Sequence, residues 1–128
     1  MIPEQTGVPS DRQDSTSERR KYQRFDVDLP VRYHRADLPI SRNGRVMNLS
    51  EGGLLIHLPD PMETGQELKL NLSFFMDSAL DSVEAISEVV WSEIHLFEPW
   101  GDYRSGIRFT AMSEKDSSKL KDFMKNLS

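Results

Sequence analysis

Four cations, Arg19, Arg20, Lys21 and Arg24, fall within six positions and no acid stands among them. Arginine there suits a phosphate, because its planar fork donates two parallel hydrogen bonds, and it suits a nucleobase, because the same plane stacks on a ring. A second polar block, Asn48-Leu49-Ser50-Glu51-Gly52-Gly53, follows about two dozen residues later. Asn48 can donate and accept toward a base edge, Ser50 adds a hydroxyl, and glycine permits a close approach that other residues would block. Taken singly, the first block reads more readily as a solvated basic linker and the second as an ordinary polar turn. The chemistry available to both together is recognition of an anionic ligand that carries bases.

Other reactive side chains suggest less. His34, His57 and His95 are scattered, no Cys accompanies them, and no second ligand stands at metal spacing, so each is expected to be a surface or strand-face histidine and no metal site is predicted. Trp91 and Trp100 could stack a base, but Trp91 in a valine-rich run is expected in the core. Asp77, Asp81, Glu84 and Glu88 have no partnered base or nucleophile nearby in sequence and read as solvated positions. The chain has no nucleophile elbow, no G-x-x-x-x-G-K and no H-E-x-x-H, so no catalytic residue can be named and no enzymatic activity or cofactor is expected.

Composition bounds these readings. At 128 residues and 14.7 kDa the chain suits one domain with a single core. A formal net charge of -5 argues against direct nucleic-acid binding, which calls for a basic face, yet the local cluster of cations can still hold a small anion. Absence of Cys agrees with a reducing compartment, and no apolar run approaches the roughly 20 residues that span a bilayer, so a cytoplasmic protein without membrane insertion is expected.

The elements that must position the two blocks follow from periodicity. Residues 1–17 mix Pro, Gln, Gly, Asp, Ser and Thr and read as a disordered tail, with the domain proper at 18–128. Phe25, Val27, Leu29, Val31 and Tyr33 alternate with polar or Pro positions as in a half-buried strand, with an edge or bulge expected at Pro30. Asn43-Gly44 signals a tight turn before a second strand at about 45–49, and Glu51-Gly52-Gly53 turns the chain into a third at 54–58. Period-two alternation recurs at 68–74, a loop is expected over 76–82, and two more strands at 83–93 and 103–110. Six short strands with no helix between them predict an all-β-dominated fold, an antiparallel β-barrel. Ser113 followed by Asp116 resembles a capping box, and Leu120, Phe123, Met124 and Leu127 repeat at three and four, giving a C-terminal α-helix at about 113–127 that covers a barrel mouth or a partner.

With the elements placed, the pair R-x-x-x-R at Arg20 to Arg24 and N-x-S-x-x-G at Asn48 to Gly53 resembles the two-part signature of the PilZ family. The resemblance extends over about Glu18 to Lys125 and includes Ala85 to Trp91 and Gly106-Ile107-Arg108-Phe109. It implies a six-stranded barrel with a C-terminal helix and a cyclic di-GMP receptor that acts as an adaptor toward an unidentified downstream protein. Arg20 and Arg24 would then contact phosphate and guanine, and Asn48, Ser50 and Gly53 would shape the pocket for the other guanine. An arginine at the place of Arg19 implies two stacked ligand molecules. The loop at 19–24 would order on the ligand. An alternative is a degenerate PilZ-like interaction module that binds no nucleotide. A third reading, an oligonucleotide-binding barrel, predicts basic and aromatic residues interleaved along the strands, whereas the cations here gather at the N-terminus.

Overall fold

The computed structural model describes residues 22–127, and the expectations for the tail and for Arg19 and Arg20 lie outside the described residues. Six antiparallel strands, β1 (Phe25–Arg35), β2 (Arg42–Leu49), β3 (Gly53–Leu58), β4 (Glu67–Met76), β5 (Ala79–Ile94) and β6 (Tyr103–Ala111), precede one helix, α1 (Glu114–Leu127). They close into a barrel in the order β1-β2-β3-β6-β5-β4, sealed by β1 against β4 with Val31 opposite Leu72. The barrel and the C-terminal helix agree with the reading from periodicity. No described helix is long and apolar enough to cross a membrane.

The inward residues of each alternating run make the core: Val31 and Tyr33 from β1, Val46 and Leu49 from β2, Leu54, Ile56 and Leu58 from β3, Leu68, Leu70, Leu72 and Phe74 from β4. The helix buries Leu120, Phe123 and Met124, with the Phe123 ring stacked 4.4 Å from Phe74, while Leu127 remains exposed. The stripe therefore closes the barrel on three of its four residues. Ser113 Oγ accepts from the Asp116 N–H at 3.0 Å, the first half of a capping box. The reciprocal half is absent, because the Asp116 carboxylate instead accepts from the Glu84 N–H of β5 and ties the helix start to the barrel wall.

Two local expectations need correction. Asn43-Gly44 is not a turn: both residues lie inside β2, opposite Arg32 and Val31, and the chain reverses earlier, between β1 and β2. Gly44 is small because a Cβ there would stand 2.9 Å from the His57 carbonyl oxygen and 3.0 Å from Ile56 Cδ1. Residues 76–82 are not a long loop either. Asp77 and Ser78, with φ of 52° and 67°, make a two-residue hairpin turn, the left-handed pair that matches strand twist, and β5 starts at Ala79. At Pro30 the register does slip nearby, between Asp26 and Leu29, and pairing with β4 begins only at Val31.

Candidate ligand-binding site

The β2–β3 turn is held by its own serine. Ser50 is buried, and its Oγ accepts from the N–H groups of Gly52 and Gly53, each at 3.2 Å, while its own N–H donates to the Gly53 carbonyl at 2.8 Å. The turn is also fastened to the next strand, since the Phe109 N–H donates to the Gly52 carbonyl at 2.9 Å. A Cβ on Gly53 would stand 2.0 Å from the Ile107 carbonyl oxygen, so this position needs glycine for β3 to lie against β6. A Cβ on Gly52 would stand 2.9 Å from the Tyr22 ring, which therefore packs across the turn.

That contact carries the first block onto the second. Tyr22 lies over Gly52, and two residues on the Arg24 guanidinium donates to the Asn48 side-chain oxygen at 2.7 Å, across a separation of 24 residues. Of the residues singled out in sequence, Arg24, Asn48, Ser50 and Gly53 thus converge at one end of β3, with Ser50 turned inward and Arg24 exposed.

The register extends this end into a surface that the sequence did not disclose. Asp26, Asn48, Leu55, Gly106 and Trp91 are successive cross-strand partners over β1, β2, β3, β6 and β5. Leu55 is on the outer face, because its neighbours Leu54 and Ile56 fill the core. Trp91 is outward as well, 40% exposed, and its indole covers Gly106, where a Cβ would stand 2.2 Å from Nε1. The expectation of a core tryptophan is therefore overturned. A register shift between Val89 and Trp91 in β5 accompanies the reversal of its side chain. Two residues further along β6, beside Gly53, Arg108 is outward and ion-paired with Glu88. Asn48, Leu55, Gly106 and Trp91 make a shallow platform of mixed polar and aromatic character beside Arg24. A separate cavity of about 730 Å³, lined among others by Arg32, His34, Lys69 and Glu84, opens where β1, β4 and β5 meet the helix start and includes none of these residues.

Over residues 18–126 the chain matches the PilZ domain family. It belongs to that family. The folded PilZ domain has structural counterparts of low sequence identity. The Bacillus subtilis inhibitor of motility MotI/DgrA aligns with a TM-score of 0.69 at 18% identity, covering 84% of this chain and 50% of that one. The PilZ domain of Escherichia coli YcgR, solved with c-di-GMP, aligns at 0.62 and 15%, covering 85% and 91%. MrkH of K. pneumonia, solved as its c-di-GMP complex, aligns at 0.61 and 12%, covering 84% and 52%. The chain thus spans about half the length of MotI/DgrA and of MrkH. No curated protein sequence matches it.

The structure also brings together residues that looked scattered. His57 of β3 and His95 of the β5–β6 loop meet edge to face with ring centroids 5.2 Å apart, and Glu98 Oε1 lies 3.5 Å from His57 Nδ1. His57 points outward by alternation yet is only 4% exposed, because the loop folds over it. Burial holds its imidazole below the ordinary histidine range, against the pull of Glu98 in the other direction.

Proposed function

We propose that this PilZ domain is a cyclic di-GMP receptor that passes the signal to a partner protein and carries out no catalysis. The observation that carries the reading is the hydrogen bond from Arg24 to Asn48, which joins the two signature blocks at the edge of the Asn48–Leu55–Gly106–Trp91 platform. Arg20 and Arg24 would hold phosphate and stack on guanine, and Asn48 would meet a base edge. Gly53 and Ser50 serve the pocket by shaping the turn: the first lets β3 approach β6, and the second spends its hydroxyl on the turn's own amides. Trp91 and Leu55 offer the apolar surface on which a guanine can rest. Arg19 would add a contact to a second, stacked ligand molecule. Capture of the segment at 19–24 changes the surface that a partner meets, an ordering switch that needs no chemical step. The solved complexes of YcgR and MrkH with c-di-GMP, on the same fold, support the choice of ligand.

Calorimetric titration with cyclic di-GMP, with linear GMP as control, tests the reading. Saturable binding that is lost in Arg20→Ala and Arg24→Ala is expected, and a stoichiometry of two that falls to one in Arg19→Ala would assign that residue. No heat and no thermal shift at high ligand concentration would replace the receptor with a protein-interaction module.

A further inference from the structure

We propose that His57, His95 and Glu98 form a binding site for a divalent transition-metal ion of the Zn²⁺ type, which fastens the β5–β6 loop to the outer wall of β3. The donor atoms of the three side chains all lie within 4.8 Å of one another. A point equidistant from three such atoms is at most about 2.8 Å from each, so an inward movement of under about 1 Å reaches the 2.0–2.1 Å of a Zn–N bond. Two imidazoles and one carboxylate are a zinc-type donor set, whereas Mg²⁺ and Ca²⁺ take oxygen ligands.

The nitrogen atoms that would ligate are buried and unused. Nδ1 of His57 and Nδ1 of His95 are both inaccessible to solvent and have no hydrogen-bond partner. Buried polar atoms in native folds almost always have one. The 3.5 Å from Glu98 Oε1 to His57 Nδ1 is an ion-pair contact longer than an ordinary hydrogen bond, so it leaves His57 Nδ1 without a hydrogen-bond partner. An ion between the three groups satisfies all of them at once.

The loop is shaped to deliver its two ligands. The His95 N–H donates to the Asp102 carbonyl at 2.7 Å and the Gly101 N–H to the Glu98 carbonyl at 3.2 Å, closing the loop on itself. Gly101, with φ of 137°, presses on the Leu58 carbonyl, where a Cβ would stand 2.2 Å from the oxygen. This contact lays the loop across the end of β3 beside His57. The cations nearest in register are ion-paired, Arg104 with Glu93 and Arg45 with Asp28, which offsets part of their repulsion of a metal ion.

The test is metal titration of the tag-free full-length protein after chelator treatment. Zn²⁺ is delivered in competition with a chromophoric chelator, and Co²⁺ serves as a spectroscopic probe. One equivalent of Zn²⁺ is expected, with a rise in Tm and a Co²⁺ visible spectrum of low-coordinate type. His95→Ala and Glu98→Gln, both on the exposed loop, should each weaken binding at least about tenfold and abolish the Co²⁺ spectrum, since even outer partners of metal ligands cost that much. His57→Ala, checked for folding by circular dichroism, should do the same, and His34→Ala should change nothing. Retention of wild-type stoichiometry and affinity in His95→Ala and Glu98→Gln, loss of binding in His34→Ala, or no binding by the wild type would each overturn the proposal. The titration contains no nucleotide, so its result is independent of the receptor reading.

Discussion

Replacing Ser50 by alanine separates a serine that builds the pocket from one that touches the ligand. The hydroxyl accepts from two backbone amides at 3.2 Å and makes a weaker, 3.3 Å donation to the Gly53 carbonyl. Without it the buried Gly53 N–H has no partner, which costs about 1–3 kcal/mol. The half-buried Gly52 amide can turn to water and adds little, and the Gly53 carbonyl keeps the Ser50 N–H at 2.8 Å. The net is about 2 kcal/mol, which for a domain of this size lowers Tm by about 8–10 °C. Thermal unfolding without ligand reads this directly. Asn48→Ala is the comparison: its partner Arg24 is exposed, so its stability should change by less than about 0.5 kcal/mol while its affinity for cyclic di-GMP drops. Measured well below its Tm, Ser50→Ala should keep more affinity than Asn48→Ala. A Ser50→Ala protein that melts within about 2 °C of wild type but loses cyclic di-GMP more than about tenfold would refute the reasoning and make the hydroxyl a ligand contact.

Gly106→Ala should displace the Trp91 indole, since the new Cβ meets Nε1 at 2.2 Å; an altered tryptophan emission and weaker cyclic di-GMP binding are expected, and unchanged binding would remove Trp91 from the platform. Phe123→Ala removes the ring stacked on Phe74 at the barrel mouth; a loss of about 3–5 kcal/mol in denaturant unfolding is expected, and a loss under about 1 kcal/mol would mean that the helix does not close the core. The hydrogen bond from Lys119 at 2.9 Å, then that from the Ser82 N–H at 2.8 Å, hold the Asp81 carboxyl below the ordinary carboxylate range. A depressed folded-state pKa stabilises the fold above the unfolded value, about 3.9, and this contribution vanishes as pH falls through the folded value. Wild type should therefore melt above Lys119→Met at pH 5 to 7, with the gap closing below about pH 4; a gap that persists in acid would assign the effect to packing of the lysine stem.

Alternation located the barrel because period two reports which side chains face inward. The runs at Phe25 to Tyr33 and Leu68 to Phe74 appear as β1 and β4 with little change. It could not report what covers an outward side chain. His57 sits outward between the buried Ile56 and Leu58, and the loop that covers it is brought there by contacts such as that of Gly101 with Leu58. His95 and Glu98 lie about forty residues from His57 in sequence, so no short ligand spacing could reveal the three together. Trp91 was misplaced for a related reason: alternation from Val89 would put it inside, but the register shift between the two turns it out over Gly106. Asn43-Gly44 carried a strong turn signal whose actual cause is crowding by Ile56 and the His57 carbonyl. The two signature blocks were legible as blocks; their contact was not, because it depends on Tyr22 packing across Gly52.

That contact also bears on affinity. Ordering all of Arg19 to Arg24 on a ligand would cost about 6–12 kcal/mol of backbone entropy. Charge-assisted bonds return about 1.5–3 kcal/mol each, so two arginines with two bonds apiece would do little more than offset it. In the structure Tyr22 rests on Gly52 and Arg24 on Asn48. Where these two contacts hold residues 22–24 to the barrel before the ligand arrives, three fewer residues need ordering and the cost falls to about 3–6 kcal/mol. The same four bonds then leave a surplus, and each guanine stacked on a guanidinium or on the Trp91 indole adds about 1–2 kcal/mol. Micromolar binding requires about 8 kcal/mol. On this reasoning the Tyr22–Gly52 and Arg24–Asn48 contacts together are worth as much to affinity as an arginine, although the tyrosine side chain need not touch the nucleotide. Tyr22→Ala should weaken binding through a more unfavourable entropy at nearly constant enthalpy. A loss carried by enthalpy instead would show that the ring itself meets the ligand.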